Sequence, residues 1–321
     1  MSVQAKPSNE RGAGGEQRRR CPACLLSFQA RTGPVRMQTC KSCRTISAWP
    51  LPSSQELAVY YNTDYAVVDA GLTPRHRSNW TPLLQQAELN SSERRGLEVG
   101  SSNGAFLRLA AERSWRVVGV EVDARAREQH SRQAPNIPVW PTLAEASAAG
   151  ETEKDAVWML HTIEHLPDPD SVLREVFTML RPGGLLIITT PNGACLERRV
   201  LGEAWEWWTP PAHLCLLSPG GATVMLERAG FEVVLSTTRR GDSQGLAANG
   251  LLAPARWLKR RLGRGARQRS SAVSTARRFA DVVNRVYDPL SLPVRSWLYR
   301  QRLLGPELLL VARRPLGSER P

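Results

Sequence analysis

The chain has 321 residues, with 43 lysines and arginines against 30 aspartates and glutamates, a formal net charge of +13. That length supplies one large core or two ordinary ones, and no uncharged apolar run approaches the 18 residues that a bilayer-spanning helix needs. Six cysteines are too few for a disulfide scaffold, and the first twenty residues, ending Arg18-Arg19-Arg20, lack the apolar stretch of a secretory leader, so a cytoplasmic, basic protein is expected.

The charge is unevenly placed. Residues 1–20 carry a net +3 and 254–321 a net +12, which leaves 21–253 at −2. An anionic partner is therefore expected at the ends of the chain. Residues 1–20 have no apolar periodicity and read as a disordered basic tail. A small zinc-ribbon-like module follows over 21–50. Cys21-Pro-Ala-Cys24, fifteen residues, then Cys40-Lys-Ser-Cys43 is the spacing of a structural zinc site, where four thiolates close a tetrahedron and leave no position for catalysis. Disulfides are the weaker alternative in a reducing compartment, and the metal would fold a unit too small to hold itself together. Residues 51–94 form a connector with lid helices, carrying Tyr60, Tyr61 and Tyr65 and a predicted helix near 79–90.

From 95 to 240, apolar runs alternate with helical patterns. Strands are predicted at Gly96–Val99, Arg116–Glu121, Ile137–Val139, Ala156–Leu160, Leu185–Thr190 and Phe231–Ser236, with helices at 104–113, 123–133, 143–149, 169–180 and 218–229. Short buried strands alternating with helices imply an α/β, doubly wound, mostly parallel sheet. A seventh apolar run, Glu307–Ala312, comes after a long basic stretch, so 241–304 reads as an insertion and 95–240 plus 305–314 as one core.

The segment Leu97-Glu98-Val99-Gly100-Ser101-Ser102-Asn103-Gly104 follows a strand and opens a helix. Glycines let backbone N–H groups approach a ligand, and the helix N-terminus adds partial positive charge. Seventeen residues beyond Gly104 the next strand closes on Glu121, a carboxylate placed to accept both hydroxyls of a ribose.

Glu98-x-Gly100-x-Ser102-x-Gly104, Val118-Gly119-Val120-Glu121, Asp155-Ala156-Val157 with His161-Thr162-Ile163-Glu164-His165-Leu166-Pro167-Asp168-Pro169, and Leu180-Arg181-Pro182-Gly183-Gly184 with Thr190-Pro191-Asn192 occur in that order. Together they resemble the class I S-adenosylmethionine (SAM)-dependent methyltransferases, in particular the superfamily of the ubiquinone-biosynthesis enzymes. The resemblance implies a Rossmann-like sheet of seven strands with the last one antiparallel, supplied by Glu307–Ala312. It implies that Gly100 and Gly104 pack against the methionine part of SAM, that Glu98 bonds near its amino group, and that Glu121 holds the ribose. Val122 and Trp140–Leu143 would flank the adenine, and His161 would lie beside the sulfonium. Relatives usually have Gly where this chain has Ser102. A left-handed backbone there would strain serine by about 1–2 kcal/mol.

Methyl transfer from a sulfonium is an in-line displacement that depends mainly on alignment, and a hydroxyl or acidic carbon acceptor also needs a base. His161, Glu164 and His165 fall at i, i+3, i+4, on one face if that turn is helical. They read first as a structural family marker, then as a source of general base, and last as a metal set, since related enzymes carry an acidic, acidic, His cluster there that binds a divalent cation. Past strand five, Trp205, Trp207 and Trp208 read as an aromatic lid over the substrate, and His213 is the leading candidate for the base. Cys195 and Cys215 read as small buried hydrophobes.

Residues 254–302 hold thirteen basic and two acidic groups. Val273, Ala276, Ala280, Val283 and Tyr287 share one helical face, and Leu251, Ala255, Leu258 and Leu262 form another stripe with Trp257 at its border. Basic amphipathic helices suit an anionic membrane surface. Peripheral contact with the inner membrane surface, or a cap over the substrate, ranks ahead of nucleic acid, because the aromatics sit within apolar patterns instead of forming stacking platforms. The sequence thus points to a methyltransferase using SAM and structural Zn2+ and acting on a small or lipid-linked acceptor, a quinone or a glycan or polysaccharide precursor, at oxygen or carbon. An RNA methyltransferase is the alternative. The Asn/Asp-Pro-Pro-Tyr/Phe motif of base N-methylation does not end strand four, where the chain reads His161-Thr162-Ile163-Glu164. A non-catalytic binding protein on the same scaffold, suggested by Ser102, is the third reading.

Overall fold

The computed structural model describes residues 18–29, 35–63, 71–243, 250, 252–254, 294, 297–299 and 303–317. Most of the predicted basic insertion, Tyr65 and residues 1–17 of the predicted tail lie outside these.

The alternation read from the sequence builds a sheet with two buried faces. Its strands are β5 (Arg95–Val99), β6 (Arg116–Val120), β7 (Val139–Trp140), β8 (Lys154–Leu160), β9 (Leu180–Pro191), β11 (Glu232–Arg239) and β12 (Glu307–Arg313). Their order is β11-β12-β9-β8-β5-β6-β7, parallel except that β12 runs antiparallel to both neighbours. Successive side chains of a strand point to opposite faces. Leu97, Val118, Val157, Met159, Leu186, Ile188, Leu308 and Leu310 accordingly pack on one face, against α5 (Leu143–Ala148), α6 (Pro169–Met179) and α8 (Pro219–Arg228). Val117, Ala156, Trp158, Leu185, Ile187 and Val311 pack on the other, against α2 (Pro74–Glu88) and α3 (Ala105–Glu112). The predicted helix near 79–90 begins earlier, at Pro74, because Thr73 accepts the amide of His76 and closes a capping box. Between α3 and α5, α4 (Ala124–Gln133) is capped by Asp123.

The carboxyl ends of the parallel strands form one edge of the sheet, and β11 and β12 open there. Arg239 faces Glu307 in their register, so the segment between them leaves and returns beside that edge.

The cysteine module consists of β1 (Arg18–Arg20) paired with β2 (Ser27–Gln29), and β3 (Arg36–Thr39) paired with β4 (Ile46–Trp49). Arg18–Arg20, assigned by composition to the tail, thus belong to the module: backbone pairing with Ser27–Gln29 outweighs a locally charged sequence. Short α1 (Ser54–Thr63) follows. Past β9, α7 (Leu196–Leu201) and the two-residue β10 (Cys215–Leu216) bracket the tryptophan loop. No helix among the described residues is long and apolar enough to cross a membrane.

Candidate active site

The turn after β5 is built for close approach of a ligand. Gly100 has φ +76° and Gly104 φ +73°, and a Cβ on either would run into Thr162 or the His130 ring. Between them Ser102 also takes a left-handed φ of +47°, so the strained alternative for this departure from the family pattern is the one that occurs. Its amide donates to Glu121 Oε2 at 2.8 Å, and the Asp123 amide donates to Oε1 at 2.8 Å. Glu121 therefore ties the glycine turn to the end of β6, and each of its oxygens keeps a second lone pair for a hydroxyl. Glu98 is buried, and its Oε2 meets no hydrogen-bond partner. Burial, together with the charge of Glu121, raises its pKa well above the usual carboxylate range. Val122 is 81% exposed beside this turn, and Trp140 presents a buried indole N–H without a partner. Glycine cradle, terminal carboxylate, orphaned Glu98 oxygen and apolar flank fit the amino acid, ribose and adenine portions of SAM.

The strand-four loop, which follows β8 as the fourth strand predicted for the core, differs from the predicted helical face. His161 has φ +53°, outside any helix, and only Ile163–His165 form a 3-10 turn. The predicted trio splits into two clusters. His161 Nε2 lies 2.9 Å from Glu307 Oε2 and 3.8 Å from Asp242 Oδ2, and its Nδ1 is 3.4 Å from Glu164 Oε1. Arg239 donates to the other Glu307 oxygen. Burial opposes charge on His161, but bonds to Glu164 and Glu307 and their negative charges outweigh it and raise its pKa well above the usual histidine value. The two carboxylates thus favour the charged form of His161, which makes it a weaker candidate for the base than His213.

The second cluster is Glu164, His165 and His213, whose ligand atoms lie within 4.8 Å of one another. Glu164 is fully buried and accepts from Thr190 Oγ1 at 2.9 Å. Its burial would raise the pKa, yet the bond to His161 and the charges of the three histidines hold it at about 2. His165 Nδ1 lies 2.8 Å from the Ala212 carbonyl and His213 Nδ1 2.7 Å from the Trp207 carbonyl. A carbonyl only accepts, so both Nδ1 atoms carry hydrogen, and in the neutral ring the basic lone pair is on Nε2. Burial pushes the pKa of His213 down to about 4, against the charge of Glu164. The rings of His165 and His213 meet edge to face at 4.8 Å. The site therefore places a buried histidine of lowered pKa beside a buried carboxylate. The His161, Asp242 and Glu307 set also brings its ligand atoms within 4.8 Å of one another, and either trio could hold a cation.

The tryptophan loop is less of a lid than expected. Trp205 is fully buried and Trp208 nearly so, packed with Ile46, Cys195 and Leu216. Only Trp207 turns toward the site, 5.4 Å from the His161 ring. The surplus of indoles is absorbed because the cysteine module adds a second core above the loop. Cys195 and Cys215 are buried, as expected, and Cys195 also caps α7.

Glu307, Asp242 and Arg239 were not singled out from sequence. A glutamate opening the apolar run Glu307–Ala312 was the available signal; its partners lie 65 and 68 residues away and only the β11–β12 pairing brings them together.

The four cysteines converge. Cys21 Sγ is 3.5 Å from Cys43 Sγ, and Cys24 Sγ is 3.7 Å from Cys40 Sγ. The edge of a tetrahedron with 2.3 Å metal–sulfur arms is about 3.8 Å, so the set fits zinc. Both C-x2-C pairs have the same turn: left-handed Leu25 and Arg44 send their amides back to the carbonyls of Cys21 and Cys40 at 2.9 and 3.0 Å.

Comparison with known proteins agrees with this geometry. A "Probable S-adenosylmethionine-dependent methyltransferase" of Mycolicibacterium smegmatis is 31% identical over 138 residues, 43% of this chain and 51% of that protein. A ubiquinone biosynthesis O-methyltransferase of Pseudomonas fluorescens is 31% identical over 121 residues, 36% of this chain and 50% of that protein. The chain thus spans about half the length of these curated relatives. The crystal structure of the [4+2]-cyclase SpnF shares the fold, with a TM-score of 0.50 at 17% identity, over 84% of this chain and 99% of that one. Residues 74–236 match the family described as "Methyltransferase domain". The match covers half the chain, holds the glycine turn, Glu121 and the strand-four loop, and so places this protein in the methyltransferase-domain family.

Proposed function

We propose that the protein transfers the methyl group of SAM to a small or lipid-linked acceptor, at a hydroxyl oxygen or an acidic carbon of a quinone or glycan-precursor class. The observation that supports this most is His213: buried, neutral, and oriented by the Trp207 carbonyl so that Nε2 is its basic atom. An acceptor that must lose a proton needs such a group. The O-methyltransferase names among the relatives favour oxygen.

When bound, SAM supplies a methyl group on a positively charged sulfur. Gly100 and Gly104 admit it closely, Glu121 accepts from its hydroxyls, and Glu98 accepts near its amino group. Glu164, ionised, holds the charge of His161, and His213 Nε2 takes the acceptor's proton, with His165 packed against it. Alignment of acceptor and sulfonium contributes most, on the order of 7–11 kcal/mol.

The test is calorimetry with S-adenosylhomocysteine, followed by incubation with methyl-labelled SAM and separate lipid, phenolic and RNA fractions. Saturable binding, abolished by Glu121→Ala, and label in the lipid or phenolic fraction are expected. Label in RNA alone would replace the acceptor assignment, and absence of binding would refute the cofactor assignment.

A further inference from the structure

The cysteine module packs into the methyltransferase core instead of standing apart from it. Cys21, Ala23 and Cys40 share one buried cluster with Val157, Leu186 and Met225 of the core. The carbonyls of Pro22 and Ala23, in the first C-x2-C turn, accept from Arg228 on α8, which also pairs with Asp170 on α6. The second turn is held as closely: Ser218, the N-cap of α8, donates through Oγ to the Cys43 carbonyl and through its amide to Thr45 Oγ1 at 3.4 Å. A Cβ at Gly221 would stand 2.1 Å from Thr45 Oγ1. Such contacts dock one side of each turn on the core, while Leu25, Leu26, Lys41, Ser42 and Arg44 stay exposed.

Their reach extends to the site through one residue. From Thr45 the chain runs directly into β4, which pairs with β10 at Ile46↔Leu216 and Ser47↔Cys215. One residue further, the Ala48 amide donates to the Leu214 carbonyl at 2.8 Å, while the Leu214 amide donates to the Glu164 carbonyl at 2.8 Å. Leu214 is 1% exposed and follows His213 directly. The backbone of Leu214 is thus clamped between the cysteine module on one side and the strand-four loop on the other. A displacement of β4 would therefore be passed through Leu214 to the backbone of both His213 and Glu164.

We infer that the four-cysteine module is an internal positioning element for the acceptor side of the site: zinc held by Cys21, Cys24, Cys40 and Cys43 fixes β4, and β4, through Leu214, sets His213 against Glu164 and His165. This assigns the module a role within the chain and makes Leu214 a positioning residue. The inference rests on the proposed role of His213, but its test does not depend on knowing the acceptor.

The test uses the full-length zinc-loaded protein. Zinc is withdrawn stepwise with a chelator while three quantities are followed: metal content, S-adenosylhomocysteine affinity by calorimetry, and the imidazole proton signals of the histidines, of which the chain has five, assigned with His→Gln variants. The expected result is that the His213 and His165 signals move with zinc loss while the affinity changes less than about twofold, since displacements of about an ångström matter for aligned chemistry more than for binding. Cobalt(II) added in place of zinc should show thiolate charge-transfer absorption. Histidine signals that stay fixed as zinc leaves would overturn the inference, as would affinity lost in parallel with zinc, or cobalt bound without a thiolate band. Ala48→Pro, which removes the donor to Leu214 without touching a cysteine, should keep zinc and S-adenosylhomocysteine and still move both histidine signals; unmoved signals there would also overturn it. If the zinc-loaded protein fails to bind S-adenosylhomocysteine at all, the cofactor reading falls, and the histidine signals still decide this one.

Discussion

Ser102 occupies a backbone conformation that favours glycine, in the middle of the proposed cofactor turn. Its amide bond to Glu121 holds it there, and the hydroxyl adds nothing that offsets a left-handed Cβ. Ser102→Gly should therefore raise stability by up to about 1 kcal/mol, the relief being partly offset by the freer unfolded chain. Thermal unfolding with and without S-adenosylhomocysteine measures both stability and affinity. His213 calls for a different experiment. Its folded pKa lies below the unfolded value, so the folded state resists protonation and loses stability as pH falls from about 6.5 toward 4. The transfer rate should accordingly hold its level below pH 6 and fall only near 4. His213→Gln should lower the turnover rate by about 10²- to 10⁴-fold with S-adenosylhomocysteine affinity unchanged. An unaltered rate would move the base elsewhere.

At the scale of elements, the loop between β9 and β10 depends on two buried features. Trp205 fills the small core between the cysteine module and α7, and Trp205→Ala should cost about 3–5 kcal/mol in denaturant unfolding. Glu197 on α7 is buried, with Oε2 3.3 Å from Ser243 Oγ, whose hydroxyl also reaches Glu206 Oε1 at 2.7 Å. Burial and the charge of Glu206 raise the Glu197 carboxyl to about 7. The folded state therefore holds a proton that the unfolded chain releases above its own lower pKa, and this contribution is lost as pH rises through 7. Glu197→Gln keeps the neutral form at every pH. It should raise Tm by about 2–4 °C at pH 8 and leave it nearly unchanged at pH 5. The tryptophan run shows how far an element can be read alone: the sequence marks an aromatic loop, but which ring faces the site depends on Ile46, more than 150 residues away.

For the whole molecule, the +13 charge resolves into basic ends and a net −2 over 21–253. The chain between β11 and β12 begins and ends at paired residues, Arg239 and Glu307, so these strand ends stay side by side when a Gly-Ser linker replaces part of the chain between them. Replacing 245–293 by such a Gly-Ser linker should preserve S-adenosylhomocysteine binding, because the glycine turn and Glu121 lie on the other half of the sheet. It should also abolish sedimentation with anionic vesicles, the proposed role of the basic segment. Vesicle binding that survives the deletion would place membrane contact elsewhere.

Local pattern was enough for much of this protein. Short apolar runs and helical repeats located the sheet strands to within about five residues, because strands buried on both faces read as continuous apolar segments. The glycine turn, Glu121 and the cysteine pairs were legible because their chemistry depends on short, fixed spacing. The tertiary structure decided what depends on contacts between distant segments. It separated His161 from His165, because the left-handed turn at His161 aims that ring at Glu307 on β12 while leaving it beside Glu164. It assigned two tryptophans to a core and turned the cysteine module inward onto α8. It also lowered the pKa of His213 by burial and raised that of His161 beside two carboxylates, since a histidine's proton is governed by the carboxylates and burial around it, which sequence order does not contain.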